Sequence, residues 1–512
     1  MTAENSLDGY RAGVAAGHAA TAGAAAEVLR AGGNAFDAAI AAFLAACVAE
    51  PVLASLGGGG FLAARRANAS GTNATEVFDF FTQTPRRRPT QDEIDFKPIT
   101  ADFGIAQQEF HIGLGAVATP GAVAGIFAVH DALGRMPMAD IAAPAIALAR
   151  DGVRINPFQA YLLGVVAPIY TATPGAVAQF CRPNVMSPTL LPSGAVYQPT
   201  GFAEFLSALV SEGAELFYQG AIADAIAGLP GCAIGRDDLA GYRVQRRAPW
   251  TAHLDGTDVF LNPPPAAGGA LIAFALAHLN AQGPTHDPAG ALVDAMSAAN
   301  QARSESGLDA APEAGAEVLR QMMPNPPAYR GTTHISTADS DGNIAAITVS
   351  NGEGCGHVLA GTGIMLNNML GEDDLNAAGF FTWPEDVRLS SMMAPGLMSQ
   401  PDGTWTAFGS GGSNRIRSAL TQMIVNIARH GMDVTDAVNA PRLHLEGTKL
   451  SLEPGFDDAM IAAIKATAVA DDISVWPEQN MFFGGVHVLC RAPAGHVQGA
   501  GDPRRDGVFI GI

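Results

Sequence analysis

The chain has 512 residues, enough for two or three domains or for one large layered one. Its 29 basic and 49 acidic side chains leave a net charge of −20, which repels phosphate backbones and argues against a nucleic-acid partner. With 48% hydrophobic and only 15% charged residues the chain has material for a core and is not disordered as its main state.

From the N-terminus, MTAENSLDGYRAG has no basic start followed by an apolar core, so no secretory signal is expected and the expected location is cytoplasmic. Residues 20–30 are Ala-rich and read as a helix closed by Gly32-Gly33; Asn34 then caps a second helix, 35–49, which Pro51 stops. The longest apolar run, 38–49, is shorter than the about 18–20 residues needed to span a bilayer, so no membrane partner is expected. Gly57-Gly58-Gly59-Gly60 precedes the apolar Phe61-Leu62-Ala63-Ala64, and four glycines there predict backbone packed very close to something else. Helical periodicity covers 122–151. Asn262-Pro263-Pro264-Pro265-Ala266-Ala267-Gly268-Gly269 leads into an apolar helix over 270–279.

Two prolines and a glycine in Asn325-Pro326-Pro327-Ala328-Tyr329-Arg330-Gly331 break the chain just before Thr332-Thr333-His334-Ile335-Ser336-Thr337-Ala338. Asp341-Gly342-Asn343 forms a turn and 344–350 a second strand, together a hairpin. Gly409-Ser410-Gly411-Gly412-Ser413-Asn414 precedes a helix with Ile416, Leu420, Met423, Ile424 and Ile427 at helical spacing. Strands return at 485–490 and 507–512. Strands and helices come in blocks rather than strict alternation, which predicts a layered α+β fold. The five cysteines are far apart and odd in number, as expected of reduced, buried thiols.

Several chemistries fail on spacing. None of the three lysines follows a glycine, so there is no phosphate-binding P-loop. Gly113-Leu114-Gly115-Ala116-Val117-Ala118 is a loose dinucleotide match, but Thr119-Pro120-Gly121 breaks the helix such a site requires. No two histidines stand three to five apart, and no G-x-S-x-G elbow occurs, so neither metal, cofactor nor an α/β-hydrolase triad is expected. The Gly331-Thr332 junction offers another route. A threonine hydroxyl needs a base beside it, and a threonine that becomes an N-terminus carries one in its own α-amine, which titrates near about 7.7. Taken alone, Thr332 is more commonly the first residue of an ordinary strand, since Thr favours strands.

The motifs in order remove that ambiguity. Gly32-Gly33-Asn34-Ala35-Phe36-Asp37-Ala38-Ala39, Glu50-Pro51 through Gly57-Gly58-Gly59-Gly60-Phe61, Thr119-Pro120-Gly121 to Gly125, Pro263-Pro264-Pro265 to Gly269, Thr332-Thr333-His334-Ile335-Ser336 with Asp341-Gly342-Asn343, and Asp502-Pro503-Arg504-Arg505-Asp506-Gly507 resemble the γ-glutamyltransferase family of N-terminal-nucleophile hydrolases, from about residue 12 to the end.

The resemblance implies a four-layer αββα sandwich of α+β class and a precursor that cleaves itself at Gly331–Thr332. The products would be a large subunit, 1–331, and a small subunit, 332–512, paired in one intertwined catalytic domain and compatible with a dimer of processed units. Thr332 would be the nucleophile, first on the Gly331 carbonyl and then on a small-molecule amide, passing the acyl group to water or an amine acceptor. Ser350 falls where the family places a second hydroxyl, usually Thr, that hydrogen-bonds the nucleophile. Gly411-Gly412 resemble the glycine pair of the oxyanion hole. Ser390-Ser391 match a serine pair that holds a substrate carboxylate.

Two departures bear on the substrate. The family's clamp arginine normally follows Asp-Phe, whereas here Asp79-Phe80 is followed by Phe81-Thr82. Nearby Arg86-Arg87-Arg88 reads as a solvated basic loop. The carboxylate that binds the glutamyl amine lies in the family after Asn367-Asn368; here Met369-Leu370-Gly371 intervenes before Glu372-Asp373-Asp374, so the sequence leaves open which of the three faces the pocket, and Asp373 is carried forward as the candidate. The expected activity is cleavage of a γ-glutamyl or related amide. The alternatives are a glutaryl-type acylase, a small-amide amidohydrolase, or a relative that never cleaves and only binds.

Overall fold

The computed structural model describes residues 9–69, 74–102, 107–183, 186–306, 331–373, 375–376, 379–466 and 469–512. The start of the N-terminal stretch, the approach 325–330 and Asp374 lie outside the described residues. Helix Ala19–Arg30 packs on helix Ala35–Ala49, whose every residue is buried. Asn34 starts the second helix by accepting from the backbone N–H groups of Phe36 and Asp37, while Asp37 accepts in return from Asn34 N, all at 2.9 Å. The long helical stretch read over 122–151 is two helices, Ala122–Leu133 and Met138–Asp151. Gly134 and Pro137 separate them, since neither residue favours a helix interior.

Two antiparallel sheets carry the site. The first has seven strands in the spatial order Val508–Gly511, Gly13–Ala16, Thr333–Ala338, Ile344–Ser350, Gly59–Arg65, Thr75–Phe80 and Gln245–Arg247. The second has six, in the order Val497–Ala500, Gly485–Arg491, Trp405–Gly411, Gly396–Ser399, Thr257–Leu261 and Trp250–Leu254. Ala63, Val77, Ala338, Ile344, Ala346, Leu397, Ala407 and Leu489 fill the space between the sheets. The alternating residues Ile335, Ala345, Ile347 and Val349 point instead into the helical layer of 19–30, 35–49 and 122–151. Helices Ala267–Gln282 and Arg415–Ala428 cover the second sheet with Leu276, Ile416, Leu420 and Ile424. The layers therefore run helices, first sheet, second sheet, helices, the αββα sandwich expected from the motifs.

The predicted hairpin occupies the middle of the first sheet. Thr333 pairs with Val349 and Ala338 with Ile344. Gly342 adopts φ 98° in its turn, and Asp339 Oδ1 accepts from the N–H groups of Gly342 and Asn343 at 2.9 Å each. Among the described residues no helix is long and apolar enough to cross a membrane. All five cysteines are free.

The glycine run has the close neighbours its composition predicts. A Cβ on Gly58 would lie 2.2 Å from the Ser350 carbonyl oxygen, and one on Gly60 2.4 Å from that of Thr348. These are backbone atoms of the strand that ends at Ser350, so the glycines set how closely that strand approaches its neighbour. Gly60→Ala should therefore lower soluble yield and Tm, at a cost of about 1–3 kcal/mol for overpacking. Gly164→Ala, in helix Pro157–Val165 with nothing within 4 Å of its added carbon, should be neutral or stabilising. Equal melting temperatures for the two variants would contradict this reading.

Candidate active site

The Gly331–Thr332 bond lies at the entrance to strand Thr333–Ala338, with Thr332 only 2% exposed. Two side chains from the turn after the next strand hold Gly331. Ser350 Oγ donates to the Gly331 carbonyl oxygen at 2.6 Å and accepts from Gly352 N at 3.0 Å. Glu353 Oε1 accepts from Gly331 N at 2.5 Å. Gly331 is thus gripped on both its donor and its acceptor.

Thr333 is committed elsewhere, because successive strand residues face opposite ways. Its Oγ1 donates to Glu50 Oε2 at 2.7 Å, and Glu50 Oε1 accepts from Thr21 Oγ1 at 2.6 Å. His334, the nearest imidazole in sequence, is turned between the sheets onto Thr348 Oγ1 at 2.7 Å and Ser336 Oγ at 2.9 Å. Burial and the neighbouring His487 push its pKa well below the ordinary value, so it stays neutral and serves as a packing group. Gly409 makes room for that ring: a Cβ there would lie 2.3 Å from Nδ1.

The second sheet supplies the opposite wall. Strand Trp405–Gly411 ends against Thr332, so that a Cβ on Gly411 would come 2.1 Å from the Thr332 carbonyl oxygen. Gly412 follows at φ 123° and Ser413 at φ 57°, a sharp turn into helix Arg415–Ala428. Arg505 Nη1 donates to the Thr332 carbonyl at 3.3 Å. Burial, and then Arg415, lower the Arg505 pKa to about 10, which still leaves a full positive charge at neutral pH.

A tight crevice opens at this point, lined by Phe81, Thr332, Ser350, Ser391, Met392, Met393, Ser413 and Ile416. Phe81 stacks on Phe61 with centroids 5.6 Å apart, and its carbonyl accepts from Tyr242 Oη at 2.6 Å and from Arg388. Arg388 faces Asp79 at 3.5 Å and donates to the Arg243 carbonyl at 2.6 Å. It therefore braces the wall behind Phe81 and is not one of the residues that line the cleft. The Arg86-Arg87-Arg88 triplet stays outside, on Asp386 at 3.5 Å, on Glu93 at 3.0 Å and on the Trp383 carbonyl respectively.

Thr332, Ser350, Ser391 and Phe81 thus converge on the cleft, with Gly411 and Gly412 against its back wall. Ser390 is half-buried and outside the lining, while Ser391 is buried with its Oγ accepting from Met393 N at 3.1 Å. The expectation for Asp373 needs correction. The short helical turn Met369–Gly371 leaves Asp373 exposed and turns Glu372 inward, 1% exposed, to lie against Gly352; a Cβ on that glycine would meet Glu372 Oε1 at 2.1 Å. Glu353 and Arg505 escaped the sequence reading. The signal for Glu353 was an acid three residues beyond Ser350 in a Gly-rich turn; Arg505 sat in a motif noted only for its resemblance. Among the described residues no group of three His, Cys, Asp or Glu side chains could hold a metal ion.

Comparison with known proteins bears on this geometry. The family model described as gamma-glutamyltranspeptidase matches residues 21–326 and 298–512. The glutathione hydrolase proenzyme of Escherichia coli (strain K12) is 29% identical, over 93% of this chain and 88% of that protein. The acylase ACY 1 proenzyme of Pseudomonas sp. (strain SE83) is 28% identical, over 98% of this chain and 94% of that protein. The crystal structure of cephalosporin acylase from Bacillus halodurans superposes with a TM-score of 0.80 at 23% identity, covering 100% of this chain and 97% of that one.

The two threonines and Ser350 separate in a simple experiment. Ser350→Ala removes the hydrogen bond on the Gly331 carbonyl and should slow self-cleavage about 10²- to 10³-fold, the usual loss for one oxyanion donor. Thr333→Ala should still cleave, because that hydroxyl serves Glu50. A denaturing-gel time course reads both, and a Thr333→Ala protein that stays full length would overturn the assignment.

Proposed function

Since the chain belongs to the gamma-glutamyltranspeptidase family, we propose that it is a self-processing threonine amidohydrolase and acyltransferase whose nucleophile is Thr332. The observation that carries this reading is the 2.6 Å hydrogen bond from Ser350 Oγ to the Gly331 carbonyl, with Thr332 at the cleft. In the first reaction Thr332 Oγ1 attacks the Gly331 carbon, and Ser350 stabilises the oxygen as it gains charge. The Thr332 nitrogen leaves with the proton that Oγ1 gives up. Water then opens the resulting ester, yielding a Gly331 carboxylate and a Thr332 N-terminus.

The freed α-amine is the general base for the second reaction, on a small-molecule amide. Arg505 on the Thr332 carbonyl favours the neutral, proton-accepting form of that amine, since a nearby cation opposes a second positive charge. The backbone N–H groups at Gly411-Gly412, ahead of helix Arg415–Ala428, form the oxyanion hole. Large and small subunits, 1–331 and 332–512, stay paired because both supply strands to the first sheet.

The acyl pocket favours an amide other than glutathione. Phe81 stands where the family clamps a carboxylate, and the nearby cation Arg388 is occupied by Asp79 and backbone carbonyls. The relative named as an acylase supports an amide other than glutathione as the substrate. A hydrogen bond to a charged group is worth about 1.5–3 kcal/mol, so its absence weakens γ-glutamyl recognition about tenfold to a hundredfold.

Turnover of γ-glutamyl-p-nitroanilide and glutathione should therefore be poor beside that of uncharged acyl amides. Phe81→Arg should raise kcat/KM on the γ-glutamyl substrates by about tenfold or more. Efficient glutathione hydrolysis by the unmodified protein, measured by release of cysteinylglycine, would contradict this pocket assignment.

A further inference from the structure

Hairpin 333–350 has Thr332 and Ser350 at one end and the Asp341-Gly342-Asn343 turn at the other, about 20 Å away at about 3.3 Å per residue. Three arginines that the reaction does not use meet at that far end. Arg65 Nη1 donates to the Gly342 carbonyl oxygen at 2.7 Å, and a Cβ on Gly342 would lie 3.2 Å from Arg491 Nη1. Arg491 Nη2 donates to the Ser340 carbonyl oxygen at 3.3 Å. In the turn beyond Arg491, a Cβ on Gly495 would lie 2.9 Å from Arg11 Nη1 and 3.4 Å from Arg491 Nη2. Three guanidiniums from segments remote in sequence thus lie across two bare glycines.

The two sheets hold them there. Arg65 ends strand Gly59–Arg65 of the first sheet, and its guanidinium lies over the Trp405 ring of the second, 4.4 Å from the centroid. Trp405 pairs with Arg491 across the ladder between strands Trp405–Gly411 and Gly485–Arg491. Arg11 Nη1 donates to the Ala494 carbonyl oxygen at 2.5 Å. These partners are carbonyls and a ring face, and none is a carboxylate. The acids of the neighbouring segments are engaged elsewhere. Asp339 accepts from the N–H groups of Gly342, Asn343 and Ala35, and Asp341 pairs with Arg135. Glu76 pairs with Arg66 and Arg246, and Asp402 accepts from Thr404 N at 2.9 Å. Arg65 Nε and Arg491 Nε are both buried without a hydrogen-bond partner. Burial, and then the positive charge of Arg491, lower the Arg65 pKa. In a chain of net charge −20, this is positive charge that has lost part of its water and gained no counter-charge.

We propose that Arg65, Arg491 and Arg11 form a binding site for a phosphate-type oxyanion, separate from the amide site and independent of the amidohydrolase reading. Such a group carries two charges and several acceptor oxygens, so it can take hydrogen bonds from guanidiniums on different segments at once. A chloride ion cannot bridge them in that way. Arg65 Nη2 and Arg491 Nη1 make no hydrogen bond among the described residues and are the donors available to it. A free phosphate ion and the phosphate of a small ester share this chemistry.

Isothermal titration calorimetry of the purified protein tests the proposal, with inorganic phosphate, glycerol phosphate and sodium chloride injected at matched ionic strength. Saturable binding of a phosphate, absent with chloride, is expected, and the tighter of the two phosphates tells a free ion from an ester. Arg491→Gln should weaken that binding about tenfold to a hundredfold and leave self-cleavage as it is. Should that variant fail to fold, Arg11→Gln, at an exposed side chain, should weaken it about two- to fivefold. No saturable binding of either phosphate, equal binding of chloride, or phosphate binding that the folded variant leaves unchanged overturns the inference. The amidohydrolase reading stands or falls separately, on self-cleavage.

Discussion

Ser350 Oγ and the Gly331 carbonyl oxygen meet at 2.6 Å, and most of the active-site architecture serves to bring them together. A peptide carbonyl is a weak electrophile, and a threonine hydroxyl a weak nucleophile. Holding the two in one buried place, with a donor already on the oxygen, supplies orientation and charge stabilisation that water does not. Glu353 completes the grip by fixing the other end of Gly331. With both polar groups of one residue committed, the Gly331–Thr332 peptide has little freedom to rotate away.

The grip depends on neighbours far away in sequence. Ser350 ends a strand whose approach is set by Gly58 and Gly60, where any side chain would run into its backbone. Asn368 holds the turn beyond it, and Asn367 holds the glycine run alongside. Asn367 Nδ2 donates to the carbonyls of Gly57 at 2.7 Å and Ala118 at 2.9 Å, and Asn368 Oδ1 accepts from Glu353 N at 2.8 Å. From the other sheet, Gly411 and Arg505 close on the Thr332 carbonyl. Strands from 13–80 lie on both sides of the hairpin 333–350, so a cut at residue 331 leaves a continuous ladder of backbone hydrogen bonds across the two pieces.

Much of this was legible in the sequence where the signal was local. Asn34 and Asp37 announced a helix start, Asp341-Gly342-Asn343 a hairpin, and the four glycines a close approach, because each is a short-range rule of backbone chemistry. The order of motifs carried the rest of the fold. What stayed hidden was orientation. Glu372 and Asp373 are adjacent and chemically alike, and only the turn at Met369–Gly371 settles which one points inward. Arg388 lies far from Phe81 in sequence and reaches its carbonyl only through the fold, so no local pattern distinguishes its bracing role from a clamp. Glu353 and Arg505 were missed because the atoms they hold at the site, the Gly331 N–H and the Thr332 carbonyl, are backbone atoms, which a reading of side-chain motifs does not register.

The central claim is that Thr332 becomes an N-terminus by attacking Gly331. Intact-mass measurement of the purified protein, with sequencing of the N-terminus of the smaller piece, tests it directly. The account predicts two polypeptides, one ending at Gly331 and one beginning Thr332-Thr333-His334-Ile335. A single uncut chain after prolonged incubation, or a new terminus at Thr333, would contradict it.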